Sequence, residues 1–162
     1  MHNRIFGGAV SAAMLLLASA CSVQTVQLGA TREEVVRTYG RPTHTVPLAN
    51  GNRLQYSLQP LGRSAVMVDL DTAGRVVSVR QVLNPVDFAR ILPGQWTRLD
   101  VEREFGQPAM VDRVMSWSGD IMTYRWMDAD QPMFFYVYLD VANRVGRIGQ
   151  AMEFPVRPNR ND

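Results

Sequence analysis

The chain has 162 residues, which fits one domain or two very small ones. Hydrophobic residues make up 46% and charged residues 20%, so a packed core is within reach and wholesale disorder is excluded. Seventeen basic against 15 acidic residues leave a net charge of +2 with no basic stripe, which argues against a nucleic-acid-coating protein. Every basic residue is Arg. A single Cys excludes an internal disulfide and a Cys-built zinc site. Two His residues, one of them His2, leave little material for metal or acid–base chemistry. The composition thus points away from an enzyme, and no cofactor or metal is expected.

Residues 1–20 read as an export signal rather than as part of a fold. Arg4 supplies the charge, residues 5–17 are apolar or small, and Ala18-Ser19-Ala20 follows as a small-residue cleavage site. The apolar run is shorter than the roughly 20 residues a spanning helix needs. Cys21 comes next. The stretch Leu15-Leu16-Leu17-Ala18-Ser19-Ala20-Cys21 resembles a bacterial lipobox, with Ala18 where Leu is usual. In that reading Cys21 becomes the acylated N-terminus. Acyl anchoring contributes about 0.8 kcal/mol per buried CH₂, and stable attachment takes more than one chain. Ordinary signal peptidase could also cut after Ala20, which would leave a soluble periplasmic protein. Ser22, rather than Asp, resembles the pattern of lipoproteins passed to the outer membrane. Residues 21–27 then form a tether of at most roughly 25 Å.

The rest of the chain is a tandem repeat. Thr31-Arg-Glu-Glu-Val-Val-Arg-Thr-Tyr-Gly-Arg-Pro42 matches Thr97-Arg-Leu-Asp-Val-Glu-Arg-Glu-Phe-Gly-Gln-Pro108 at six of twelve positions. Further on, Asp71-Thr-Ala-Gly-Arg-Val76 mirrors Asp140-Val-Ala-Asn-Arg-Val145. Two features in the same order make chance similarity implausible. The first feature predicts a helix. Thr31 with Glu34, and Thr97 with Asp100, have capping-box spacing. Gly40 and Gly106 suit the left-handed stop, and Pro42 and Pro108 prevent continuation. A further short helix is expected over 85–92, capped by Asn84 with Pro85 in its first turn.

The second feature predicts a hairpin. Leu54, Tyr56 and Leu58 alternate onto one face, as do Val66, Val68 and Leu70. The counterparts are Met122, Tyr124 and Trp126, then Phe135, Val137 and Leu139. Gly74 and Asn143 accept positive φ in the Asp-initiated turns. Asn50-Gly51 and Ser118-Gly119 mark the other turns. The expected fold class is α+β: two tandem units, each a helix or helix pair on an about four-stranded antiparallel sheet. The expected boundaries are 28–83 and 84–154, with a flexible tail at 155–162.

These features together resemble the SmpA/OmlA family of outer-membrane lipoproteins, which includes BamE-like proteins of the β-barrel assembly machinery. They are the lipobox, the Thr-x-x-x-Val…Gly-x-Pro helix, and strands ending in Asp-x-x-Gly-Arg-Val. The resemblance covers roughly 28–82 and 85–154. Two copies in tandem also resemble the β-lactamase inhibitory protein fold. The resemblance implies a lipid anchor at Cys21, sorting by Ser22 to the periplasmic face of the outer membrane, and an envelope protein as partner. The family's single unit is doubled here, and no partner-contact residue transfers.

Other candidates have plainer readings. The stretch Asp69-Leu-Asp71-Thr-Ala-Gly74 begins like a calcium loop, but its twelfth position is Arg80 rather than a bidentate Glu. His44 has no triad partners near it in sequence. The aromatic stripe says more. If Phe135, Val137 and Leu139 face the helices, Phe134, Tyr136 and Tyr138 face the other way. Their first-half equivalents are Ala65, Met67 and Asp69. Such an aromatic face is a candidate partner surface, unless the tail or the other repeat covers it. The expected function is a non-enzymatic scaffolding module in envelope biogenesis, with a binder or inhibitor of a periplasmic enzyme as the alternative.

Overall fold

The structure is a computed structural model and describes residues 25–154. The export signal, Cys21, Ser22 and the tail expected at 155–162 lie outside the described residues.

The chain folds as two α+β units in tandem. The first comprises helix α1 (Arg32–Tyr39) and strands β1 (His44–Leu48), β2 (Gly51–Ser57), β3 (Ala65–Leu70) and β4 (Val76–Gln81). The second comprises helices α2 (Pro85–Phe88) and α3 (Arg98–Phe105) and strands β5 (Met110–Asp112), β6 (Ile121–Asp128), β7 (Gln131–Leu139) and β8 (Val145–Met152). Each sheet is a four-stranded antiparallel meander, β1-β2-β3-β4 and β5-β6-β7-β8.

The repeat holds down to individual hydrogen bonds. Thr31 accepts from the Glu34 amide while Glu34 accepts from the Thr31 amide, and Thr97 and Asp100 do the same. These reciprocal bonds satisfy amides that the first helical turn leaves free. At the other helix end, the Tyr56 hydroxyl donates to the Gly40 carbonyl at 3.2 Å, and the Tyr124 hydroxyl donates to Gly106 at 2.8 Å. Asp71 Oδ1 accepts from the amides of Ala73 and Arg75, and Asp140 Oδ1 from those of Ala142 and Arg144. The turns close with Gly74 at φ 73° and Asn143 at φ 59°. Gly51 and Gly119 are alike too: a Cβ at either would sit 1.9 Å from the carbonyl oxygen of Leu70 or Leu139.

Two expectations need correction. Helix α2 spans Pro85–Phe88 rather than 85–92. Beyond it the Arg90 and Ile91 amides bond to Asp87 and Phe88, three residues back. Pro93 then disfavours helical backbone at Leu92, and Gly94 turns left-handed at φ 80°. Leu58 keeps the side of Leu54 and Tyr56 but falls just past the end of β2 at Ser57 and is 62% exposed rather than buried.

The units stack as alternating layers: α1, first sheet, α2 with α3, second sheet. The first unit's own core is small, with Val35, Leu54, Val68, Leu70 and Val76 buried. The larger core crosses the boundary. Ala65 and Met67, on the face of β3 turned away from α1, pack with Phe88, Val101, Phe105, Tyr124, Trp126 and Phe135. The first sheet is therefore covered on both faces, and α3 serves both sheets.

Candidate functional site

The two sheets carry matching faces with different surroundings. On the first sheet, the face opposite α1 presents Arg53 and Gln55 from β2, and Ala65, Met67 and Asp69 from β3, in cross-strand register. Gln55 Nε2 donates to the carbonyls of Glu102 and Arg103, at 2.9 and 3.1 Å, and Arg53 Nη1 to that of Arg103. These are carbonyls in the last turn of α3, where that of Glu102 also accepts from the Gly106 amide at 2.9 Å. Arg53 also pairs with Asp69 at 2.6 Å and with Glu104 at 2.9 Å. Asp87 links Arg80 and Arg90 alongside, at 2.6 and 3.0 Å. A seam of charge-assisted bonds thus fastens the second unit to the first.

On the second sheet, register places Ile121, Thr123 and Arg125 where the first has Arg53, Gln55 and Ser57. Tyr138, Tyr136 and Phe134 replace Asp69, Met67 and Ala65. Sequence alternation anticipated this row, and the structure brings the three together. Phe134 and Tyr136 have ring centroids 6.0 Å apart, and Tyr136 and Tyr138 6.3 Å. All three are half-buried, whereas Phe135, Val137 and Leu139 are fully buried on the other face. Burial, with help from neighbouring Tyr138 and Asp112, holds the Tyr136 phenol above the usual tyrosine range.

Two members of the row escaped sequence reasoning. Trp117, from the loop before β6, packs edge-on to Tyr138 at 5.3 Å and donates its indole N–H to the Leu139 carbonyl at 2.6 Å. The Arg147 guanidinium lies over Tyr138, 3.9 Å from the ring centroid, and 5.3 Å from that of Trp117. The signal for them was the glycine pair on β8. A Cβ at Gly146 would come within 3.1 Å of Trp117, and one at Gly149 within 3.8 Å of Tyr138. Small residues beside large rings leave a broad platform of four aromatics rimmed by Arg147 and Asp112. The first unit reaches one corner of it. Gln59 exchanges hydrogen bonds with the backbone of Arg125, and Arg125 reaches back to the Pro60 carbonyl and pairs with Glu153.

The remaining sequence candidates fall elsewhere. His44 is exposed at the start of β1. Asp69 is engaged by Arg53, Asp71 holds its turn, and Arg80 pairs with Asp87. Among the described residues there is no group of three or more metal-capable side chains, and no helix long and apolar enough to cross a membrane.

No family model and no curated protein matches the chain. Among solved structures it aligns with a DUF4309 family protein from Bacillus subtilis, at 13% identity over 76% of this chain and 79% of that one, with a TM-score of 0.32. It also aligns with an extracellular SCP-domain protein from Bacillus anthracis, at 13% identity over 93% of this chain and 57% of that one, with a TM-score of 0.33. The chain spans a little over half the length of the second.

Proposed function

We propose that the protein is a lipid-anchored outer-membrane lipoprotein that works in the periplasm as a non-enzymatic binding or scaffolding module. Its role is in envelope biogenesis, within or beside β-barrel assembly. One observation carries the binding part of this reading. The sheet face that α3 covers in the first unit is, in the second, an aromatic platform with no helix on it among the described residues. Aromatic side chains give large contact area at low entropic cost, and Tyr and Trp add hydrogen-bonding tips. The Arg147 and Asp112 rim supplies charge of both signs for orientation. Anchoring is supported by the lipobox-like run ending at Cys21, and outer-membrane sorting by Ser22. The envelope role is supported by the resemblance of both repeats to SmpA/OmlA motifs.

Crosslinking and affinity capture from intact envelopes tests the reading. Tyr136→Ala with Tyr138→Ala should abolish partner recovery while the protein still melts cooperatively. Undiminished recovery would sink the platform. Barrel-assembly subunits among the captured proteins would support the envelope role, and a single soluble enzyme the inhibitor alternative. Separately, Cys21→Ser should move the protein from the membrane to the soluble fraction, and a protein that stays membrane-bound would refute the anchor.

A further inference from the structure

The duplication exposes a site that is filled in one unit and, among the described residues, open in the other. In the second unit Phe88 of α2 plugs the space between the C-terminal end of α3 and the sheet. It stacks on Phe135 at 3.8 Å, meets Trp126 edge-on at 5.4 Å and contacts Phe105 at 5.6 Å. Its ring is 1% exposed. The matching positions in the first unit are Val66, Leu58 and Tyr39. Those three, with Tyr56, line a cavity of about 280 Å³ against the same end of α1. Tyr39 and Tyr56 form its aromatic wall, 5.3 Å apart. Leu58, where the second unit has buried Trp126, stands 62% exposed.

The chain's path shows which residue corresponds to Phe88. Gly29 and Gly94 are equivalent: both have φ near 80°, and their amides donate to Val76 and Val145 respectively, each at 2.7 Å. Three residues before Gly94 is Ile91, buried in the large core. Three before Gly29 is Val26, packed on the small one. Thr25 and Thr38 line one cavity, just as their counterparts Arg90 and Glu104 approach to 3.6 Å. The register therefore runs without a gap back to the edge of the described residues. Phe88 lies three positions before Ile91, and the residue three before Val26 is Val23.

We propose that the first unit's cavity is a docking site for the chain's own segment 21–24, with the Val23 side chain seated among Tyr39, Leu58 and Val66 as Phe88 is seated among Phe105, Trp126 and Phe135. The first unit then has the same inner plug as the second, made by the segment that leads in from the N-terminus. Only Ser22 separates Val23 from Cys21, so the filled site fixes where Cys21 leaves the body. That consequence rests on the proposed anchor, whereas the site itself does not.

The test is a photo-reactive benzoylphenylalanine placed at position 23 of the full chain in intact envelopes, with adducts mapped by mass spectrometry. Adducts should fall on peptides carrying Tyr39, Leu58 or Val66, and the same probe at Gln24 should give several-fold fewer there. Thermal melting gives an independent readout. Val23→Phe should raise the midpoint by about 2–4 °C by filling the cavity as the second unit does, and Val23→Asp should lower it. Leu58→Ala should lower the midpoint in the native chain but not in the Val23→Asp background. Adducts confined to lipid or another protein, or midpoints indifferent to residue 23, would overturn the proposal.

Discussion

The two units share caps, turns and tyrosine braces, yet their cores are built differently. The first buries five aliphatic residues of its own, whereas the larger core buries fifteen and includes five large aromatics: Phe88, Phe105, Tyr124, Trp126 and Phe135. The first sheet compensates by being gripped from its second face, through Met67, Ala65 and the Arg53–Gln55 contacts to α3. Among the described residues, the second sheet is covered by helices on one face and carries its aromatic row on the other. Duplication thus supplied two copies of one scaffold, and the side chains on a single face decide which copy is structural support and which is a surface. Small and hydrogen-bonding residues there admit a helix, and a ring stack with Arg147 makes a platform.

The sharpest way to break this asymmetry is Phe88→Ala. It removes the stacked ring at the centre of the shared core and should cost about 3–5 kcal/mol, read as a lowered urea midpoint. Tyr39→Ala, at the first unit's counterpart of Phe105, should cost clearly less, because that ring is only half-buried. Next is the seam. Arg53→Met leaves Asp69 and Glu104 without their shared buried partner and should cost about 3 kcal/mol. In hydrogen exchange it should loosen α3 and β2 together, because both ends of the contact are lost. Smaller effects test the likeness rather than the difference. Thr31→Ala and Thr97→Ala should each cost about 1 kcal/mol, with helix α1 or α3 fraying accordingly.

The smallest effect is a pH dependence. Hydrogen bonds from Thr31 hold the Glu34 carboxyl below its ordinary range, and those from Thr97 do the same for Asp100. For Glu153 burial pushes upward, but bonds from Arg125 and Arg63 outweigh it and hold the group low. A carboxylate lowered in the folded state binds fewer protons there than in the unfolded chain. Its stabilisation is therefore complete at neutral pH and is lost as the pH falls below about 4. Urea midpoints measured from pH 6 down to pH 3 should decline, and Thr97→Ala should flatten part of that decline.

Local chemistry made much of this legible from the sequence. Capping boxes, Asp-initiated turns and strand alternation each depend on residues a few positions apart, and apart from Leu58 they appear where the spacing put them. The row Phe134, Tyr136 and Tyr138 followed from the same alternation. The covering of the first sheet by α3 did not, because it depends on residues some 50 positions apart. A trace of it was present in β3, where Ala65, Val66, Met67 and Val68 run without alternation, the mark of a strand buried on both sides. Leu58 shares the period of Leu54 and Tyr56 but not their cover, because periodicity does not reveal where a strand stops. Trp117 was missed because a loop residue carries no period, and the small Gly146 on β8 was its one trace.

The alternation of helix layer and sheet layer gives the molecule a direction, with a helix at its head and, among the described residues, an uncovered sheet face at its foot. Growth could therefore proceed by repetition at the foot alone. A third copy spliced in after Met152 would lay its first helix over the tyrosines and turn the adhesive floor into another interior joint. An engineer wishing to silence the protein without touching its anchor or its existing core would need to add one more storey.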